Sequence, residues 1–313
     1  MMDTGNTGHL IRSEVWSSQL KEVLEDELQG QGYVNWMNEF PEGTTFNIPS
    51  IGQAQTDDYV ENDSVQYRAL DTGNFQFTVN KYKSSGHYIT NKAKQDMYYM
   101  NQLVSSFVPK QARSIMETLE TDIMALSASQ TASTANSVNG ASHRFVGTGT
   151  NEVITVADFA KARFALKKAN VPDRNLVAIV DPSVEFEMNT ITNLTNVSNN
   201  PRWEGVITSG IASGMSFLAN IYGFDVYTSN YLADANEQID SAGATTAAGK
   251  ANMFFSADSS VLPFVGAWRQ MPQVDSEYNK DKQREEYVTT ARYGVALYRP
   301  ENLVCVLTDT DQV

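Results

Sequence analysis

Cysteine occurs once, as Cys305, so no disulfide can form within the chain. It lies in the apolar run Leu303-Val304-Cys305-Val306-Leu307, where it reads as a small core hydrophobe of a strand. Histidine is nearly as scarce. His9, His87 and His143 have no histidine partner three or four residues away, which argues against a His/Cys metal site. His87 could act as a general base only with a distant carboxylate, and a surface position at a hairpin base is the preferred reading. No run of 18 apolar residues exists, so no membrane-spanning helix is expected. The N-terminal stretch MMDTGNTGHL has no apolar core of a secretory leader. Positive charge is also short, with 23 Lys and Arg against 37 Asp and Glu and a net charge of -14. Such a chain does not gain affinity by wrapping phosphate, because that needs basic side chains to release counterions. The acidic balance serves solubility. It also suits many copies that surround a polyanion without sticking to it.

Catalytic signatures are missing as well. Gly243 to Lys250 has five residues between its glycines and Ala251 where a P-loop needs a hydroxyl, so it reads as a loop. Gly147-Thr148-Gly149 lacks the third glycine of a dinucleotide turn. There is no G-x-S-x-G elbow. Asp234-Ala235-Asn236 lacks the later Gly and Glu of a calcium loop, and Glu285-Glu286 reads as solvated charge. Lys81-Tyr82-Lys83 could stack on bases, but two lysines do not make a basic face. No catalytic, cofactor or metal residue is nominated, and no cofactor is expected.

What is present is a distinctive order of elements. Residues 13–30 suggest a helix stopped by Gly30. Thr44 to Ile48 suggests a short strand before Pro49. After the acidic stretch 56–63, Val65, Tyr67 and Ala69 alternate on one face. Phe75, Phe77 and Val79 alternate on another, with Asp71-Thr72-Gly73-Asn74 as the expected turn between them. A bare hairpin is marginal in water, so this one should lie on something. Residues 91–126 carry helical spacing through Met97, Met100, Val104, Phe107, Ile115, Leu119 and Ile123, with a kink or restart expected at Pro109. Residues 127–152 and 233–250 read as a linker and a low-complexity loop. Thr155-x-x-Asp158 predicts a capping box opening a helix. The buried strand Leu176-Val177-Ala178-Ile179-Val180 follows, and the element after it starts at Asp181-Pro182. Later strands are expected around Phe224 to Tyr227, over 287–298 and over 303–308.

This order resembles the major capsid protein of a tailed bacteriophage with the Hong Kong 97-type capsid fold, over about residues 40–308. The resemblance rests on Gly43-x-x-x-x-Ile48-Pro49, the acidic hairpin, Lys81-Tyr82-Lys83, the Ile89-Thr90 cap, Asn170-Val171-Pro172, Gly223 to Asn230, and Tyr293 to Val304. It implies an α+β architecture. An N-terminal arm and first peripheral strand would occupy 1–48, and an E-loop hairpin 49–80. A peripheral domain with spine helix 91–126 would occupy 81–150, and an axial domain 151–250. The segment 251–313 would end the axial domain and return to the peripheral one. On that reading Tyr59, Val65, Tyr67, Phe75 and Phe77 are E-loop assembly contacts, and Leu119 and Ile123 belong to the spine helix. Copies would form pentamers and hexamers of an icosahedral virion capsid, assembled in the host bacterial cytoplasm. The shell would enclose DNA without sequence-specific binding and without a membrane. A separate scaffolding protein is expected because no long charged helical segment precedes the arm. A portal protein is a further partner, and a decoration protein an optional one. No crosslink is expected, since the residues around Lys81 and Lys83 do not match that chemistry. The rival readings are an encapsulin-type cellular shell, a soluble α/β enzyme with unrecognised carboxylate chemistry, and a β-rich tail protein.

Overall fold

The computed structural model describes residues 28–37, 43, 45–52, 56–58, 61–62, 64, 69, 72–96, 100–129, 136–149, 152–190, 217–237 and 246–309. The first half runs β1 (Val34–Trp36), β2 (Thr45–Ile51), β3 (Thr72–Thr78), β4 (Lys81–Thr90), α1 (Asn91–Asp96) and α2 (Met100–Met124). Next come β5 (Ser137–Val138), β6 (Ala141–Ser142), β7 (Arg144–Val146), α3 (Val156–Lys168), β8 (Leu176–Val180) and α4 (Pro182–Thr190). The rest is β9 (Phe217–Ile221), β10 (Phe224–Thr228), β11 (Asp234–Glu237), β12 (Thr246–Ser256), β13 (Phe264–Asn279), β14 (Arg284–Leu297) and β15 (Val304–Thr308).

Two sheets organise the chain. The larger has seven strands in the order β7-β15-β12-β8-β10-β9, with β11 pairing β12. Its two faces follow the period of two that a strand imposes. Leu176, Ala178 and Val180 of β8 join Phe254, Val304 and Val306 under α3 and α4. Val177 and Ile179 join Met253, Phe255 and Cys305 on the opposite face, against Leu119 and Ile123 of α2. Strand β8 is therefore covered on both sides, which is why its five residues are all apolar. At the start of α3, Asp158 Oδ2 accepts from the Thr155 backbone N–H and hydroxyl, both at 2.8 Å, so the expected capping box is formed.

The second sheet has the order β1-β13-β14-β4. Only the base of β13 reaches the core, where Phe264 joins Tyr293 of β14 and the end of α2. Helix α2 is thus wedged between the sheets. Leu119 and Ile123 have no exposed surface. Burying side chains of this size contributes roughly 2 kcal/mol each.

Several expectations are corrected. Of the expected hairpin, residues 65–68 lie outside the described residues, and the described partner of 75–78 is β2. β3 pairs antiparallel with β2, placing Phe77 opposite Phe46 and Phe75 opposite Ile48. The expected turn at Asp71 to Asn74 is strand from Thr72 onward. The supposed linker 127–152 carries the β5–β6 hairpin and β7, which pairs with β15. The loop expected over 233–250 contains β11 and the first turnless stretch of β12. Helix α2 runs on through Pro109 without a restart. The end of the helix expected over 13–30 is a 3-10 turn at Gly30–Tyr33, and its earlier part lies outside the described residues.

Candidate assembly interface

Beyond the core, β4, β13 and β14 continue as a three-stranded arm. The change occurs at a double register shift in β13, between Trp268 and Gln270 and again between Gln270 and Gln273. Bulges of this kind bend a strand and raise its twist. Before them β13 is buried; after them it is mostly exposed. Met271 at the bulge is 67% exposed.

The two faces of the arm differ. Toward α2, Gln111 is buried, its Oε1 accepting from the Thr289 hydroxyl at 3.1 Å and its Nε2 lying 2.7 Å from His87 Nδ1. Asp122 accepts from Tyr293 Oη at 2.7 Å and pairs with Lys81 Nζ at 3.2 Å and Lys83 Nζ at 3.8 Å. Burial, then the bond to Asp122, pushes the Tyr293 hydroxyl pKa well above its ordinary value. The lysines of Lys81-Tyr82-Lys83 are therefore engaged with the helix and do not present a stacking platform. Tyr82, on the other face, is 65% exposed, and Tyr88 on the same strand is 60% exposed. Gly86 pairs with Val288 between them, so the open face has two aromatic posts over a low floor. Arg284 lies over the Tyr88 ring at 4.3 Å. The tip is tied to α1 through Asn91 Nδ2 to Tyr278 Oη at 3.0 Å and Lys94 Nζ to Glu285 at 2.5 Å. That lysine, through its hydrogen bond, holds the Glu285 carboxyl below the usual range.

The β2–β3 hairpin is fixed at its base. Phe46 and Phe77 pack at 5.1 Å and join Val79 and Ala267 in a small core. Gly294 of β14 permits this approach, since a Cβ there would come within 2.8 Å of the Val79 Cα. Phe75 lies edge-on to Tyr298 at 5.0 Å. From Ile48 outward the described hairpin residues are half-exposed or exposed, and Asp57, Asp58 and Glu61 are exposed.

Phe77 thus anchors the hairpin to its own chain and is not available as a contact with another copy. Phe75 is half-buried at the same base. Tyr59, Val65 and Tyr67 lie outside the described residues. Leu119 and Ile123 sit in the core as expected of the spine. The exposed arm residues Tyr82, Tyr88, Met271, Val274, Tyr278 and Val288 were missed by sequence reasoning. Alternation around Val288 and Tyr82 was visible, but it does not say which face is covered.

A second anchor holds the N-terminal arm. Glu120 is buried on α2 and accepts from the backbone N–H of Gln29 at 3.0 Å and Gly30 at 2.6 Å. Gln29 Nε2 donates to the Thr228 carbonyl at the end of β10 at 3.1 Å, so residues 29–30 bridge helix and large sheet. Tyr33 packs on Phe255, and burial, followed by the nearby Tyr227, Asp225 and Glu120, raises its pKa to about 12.

The phage capsid protein family matches residues 72–306. The chain belongs to that family. Among solved structures, this capsid protein is similar to a chain from Mycobacterium phage Che8, with 15% identity, 96% of this chain and 97% of that chain covered, and TM-score 0.70. A capsid structure of cyanophage P-SCSP1u matches with 12% identity, 97% and 94% covered, and TM-score 0.73. The capsid asymmetric unit of cyanophage Pam1 matches with 15% identity, 100% of both chains covered, and TM-score 0.68. No curated protein matches. At these identities the structural likeness establishes the fold, which is of the Hong Kong 97 type, and the family match establishes a shell-forming structural protein of phage capsids. The encapsulin reading is not favoured. No helix among the described residues is long and apolar enough to cross a membrane.

Proposed function

We propose that this capsid protein assembles into pentamers and hexamers that close an icosahedral shell around phage DNA. The observation that carries this reading is the arm of β4, β13 and β14, which leaves the core at the β13 bulges and presents exposed Tyr82, Tyr88, Val274 and Val288. Exposed large side chains concentrated on one rigid element mark an interaction surface. The β2–β3 hairpin adds a second projection with an acidic outer part. Closed shells arise when one heterologous contact repeats through rotations that close, and both projections supply such contacts.

The two sheets support the domain assignment. The four-stranded sheet with α1, α2 and the β2–β3 hairpin corresponds to the peripheral domain and E-loop. The seven-stranded sheet with α3 and α4 corresponds to the axial domain, and β13 and β14 carry the chain back to the periphery. Residues 49–74, which include Tyr59, Val65 and Tyr67, reach a neighbouring copy. A scaffolding protein, a portal protein and an optional decoration protein complete the particle, which assembles in the bacterial cytoplasm. The net charge of -14 suits a wall that encloses DNA without binding a sequence.

Electron microscopy of the expressed protein, alone and with its neighbouring gene products, tests this reading. Rings of five and six subunits or closed shells are expected. Discrete small particles under all conditions would overturn it. Deletion of 57–70 is expected to leave the thermal unfolding of the remaining chain intact and to block shell closure.

A further inference from the structure

The outer layer of the seven-stranded sheet carries two faces of opposite charge. Helix α3 contributes Lys161, Arg163, Lys167 and Lys168, and its one acidic residue, Asp158, is buried in the capping box. Lys161, Phe164 and Lys168 are spaced three and four apart, so they share one stripe, and all three are exposed. Helix α4 carries Glu185 and Glu187 with no basic residue in its last turn, and Phe186 stands between them. Phe164 and Phe186 are each 53% exposed. Each face is therefore an apolar ring flanked by charge of one sign.

The second half of α3 and the start of α4 lie at opposite ends of strand β8. Arg163 Nη1 donates to the Tyr222 carbonyl at 2.8 Å, just before β10 starts, and Phe224 of β10 pairs with Leu176 at the start of β8. The second half of α3 thus lies where β8 and β10 begin. Helix α4 starts where β8 ends, beside Asp181, and Glu187 shares a small hollow with Asp309 at the end of β15. The basic end is held firmly. Asp173 bonds Arg163 at 2.6 Å and Lys167 at 2.8 Å, and these cations, Arg163 first, bring its pKa down to about 2. That leaves Lys161 and Lys168 as the outward charges, with Lys161 Nζ over the Phe145 ring at 3.9 Å and Lys168 Nζ 5.8 Å from the Phe164 ring centre.

We propose that the α3 face of one copy docks on the α4 face of the next. Phe164 and Phe186 form the apolar centre, and Lys161 and Lys168 face Glu185 and Glu187. The occupant is a second copy because the complement of each face is on the same chain. Two different faces of one chain that meet between copies give a head-to-tail contact, the kind that closes rings. An enclosed polyanion would match α3 but not the acidic face of α4. The inference rests on the shell-forming reading above and adds to it a specific contact within the ring.

Charge reversal tests it, with the wild-type protein assembled in parallel. Lys161→Glu with Lys168→Glu makes both faces acidic; Glu185→Lys with Glu187→Lys makes both basic. Each half-reversed chain is expected to associate about tenfold or more weakly than wild type, because like charges then meet. The chain with all four changes is expected to regain rings. A mixture of the two half-reversed chains is expected to form even-membered rings, where the chains alternate, and no five-membered ones. Thermal unfolding of the dissociated subunits checks that the variants fold. If one does not, its Gln counterparts and the fall of ring formation with rising salt serve instead, a salt-insensitive wild-type ring counting against the contact. Half-reversed chains that assemble like wild type would overturn the proposal. So would an effect confined to α3, which would assign that face to another polyanion. Failure of the wild type to assemble would instead remove the shell-forming reading itself.

Discussion

Along β13, residues 264–267 are buried, whereas Met271, Val274 and Tyr278 of the same strand are exposed. Its partner β14 changes in the same way, from Tyr293 with no exposed surface to Val288 on the open arm. The hydrogen-bonded ladder continues across both halves. What changes is the apolar layer beneath it. The inner half is stabilised by its own chain, and the outer half is a finished sheet with exposed side chains on both faces. A capsid subunit needs both: a fold that survives alone, and rigid projections completed only by neighbours.

The strongest way to break the comparison is to weaken the inner half. Leu119→Ala and Ile123→Ala each remove a fully buried side chain between the sheets, and each is expected to cost about 2–5 kcal/mol in subunit stability, measured by denaturant unfolding. Gly294→Ala attacks the junction. Its Cβ would meet the Val79 backbone, so a loss of about 1–3 kcal/mol is expected, together with weaker attachment of the β2–β3 hairpin, read by limited proteolysis within 49–74. The outer half should behave in the opposite manner. Tyr82→Ser with Tyr88→Ser is expected to change subunit stability by no more than about 0.5 kcal/mol, yet to reduce shell yield under the electron microscope. Equal loss of stability at both places would erase the distinction.

These differences explain what the sequence disclosed. Strand β8, the α3 capping box, β10, and the last two strands were legible because each has a local signal: a continuous apolar run, a Thr-x-x-Asp pair, or alternation. The pairing of β2 with β3 was not, because a turn signal at Asp71 to Asn74 competed with a partner some twenty residues upstream in the chain. The alternation of Phe46 and Ile48 matched that of Phe77 and Phe75, and this was the available clue. Composition misled over 136–146, where Ser and Asn suggested a linker. Asn139-Gly140 is a hairpin turn with both residues at positive φ, 50° and 79°, and Asn139 also donates to the Lys168 carbonyl at the end of α3 at 2.7 Å. The arm's exposed face could not be seen in advance, because alternation gives the two faces but not their surroundings.

A further small effect concerns pH. The Asp173 carboxyl is held at about 2 in the folded chain, below its ordinary value of 3.8, by Arg163 and then Lys167. Its contribution is present in full above that ordinary value and is lost as pH falls from there through about 2. The pair is partly exposed, so the loss should be under about 1 kcal/mol and be abolished in Asp173→Asn, as measured by unfolding at pH 2 and pH 5.

The most direct measurement is amide hydrogen exchange on dissociated subunits and on assembled shells. The account predicts that 264–267 and the β8 core exchange equally slowly in both, while the arm over 271–290 and the hairpin over 49–74 become markedly slower in the shell. An arm that exchanges at the same rate in subunit and shell would contradict it.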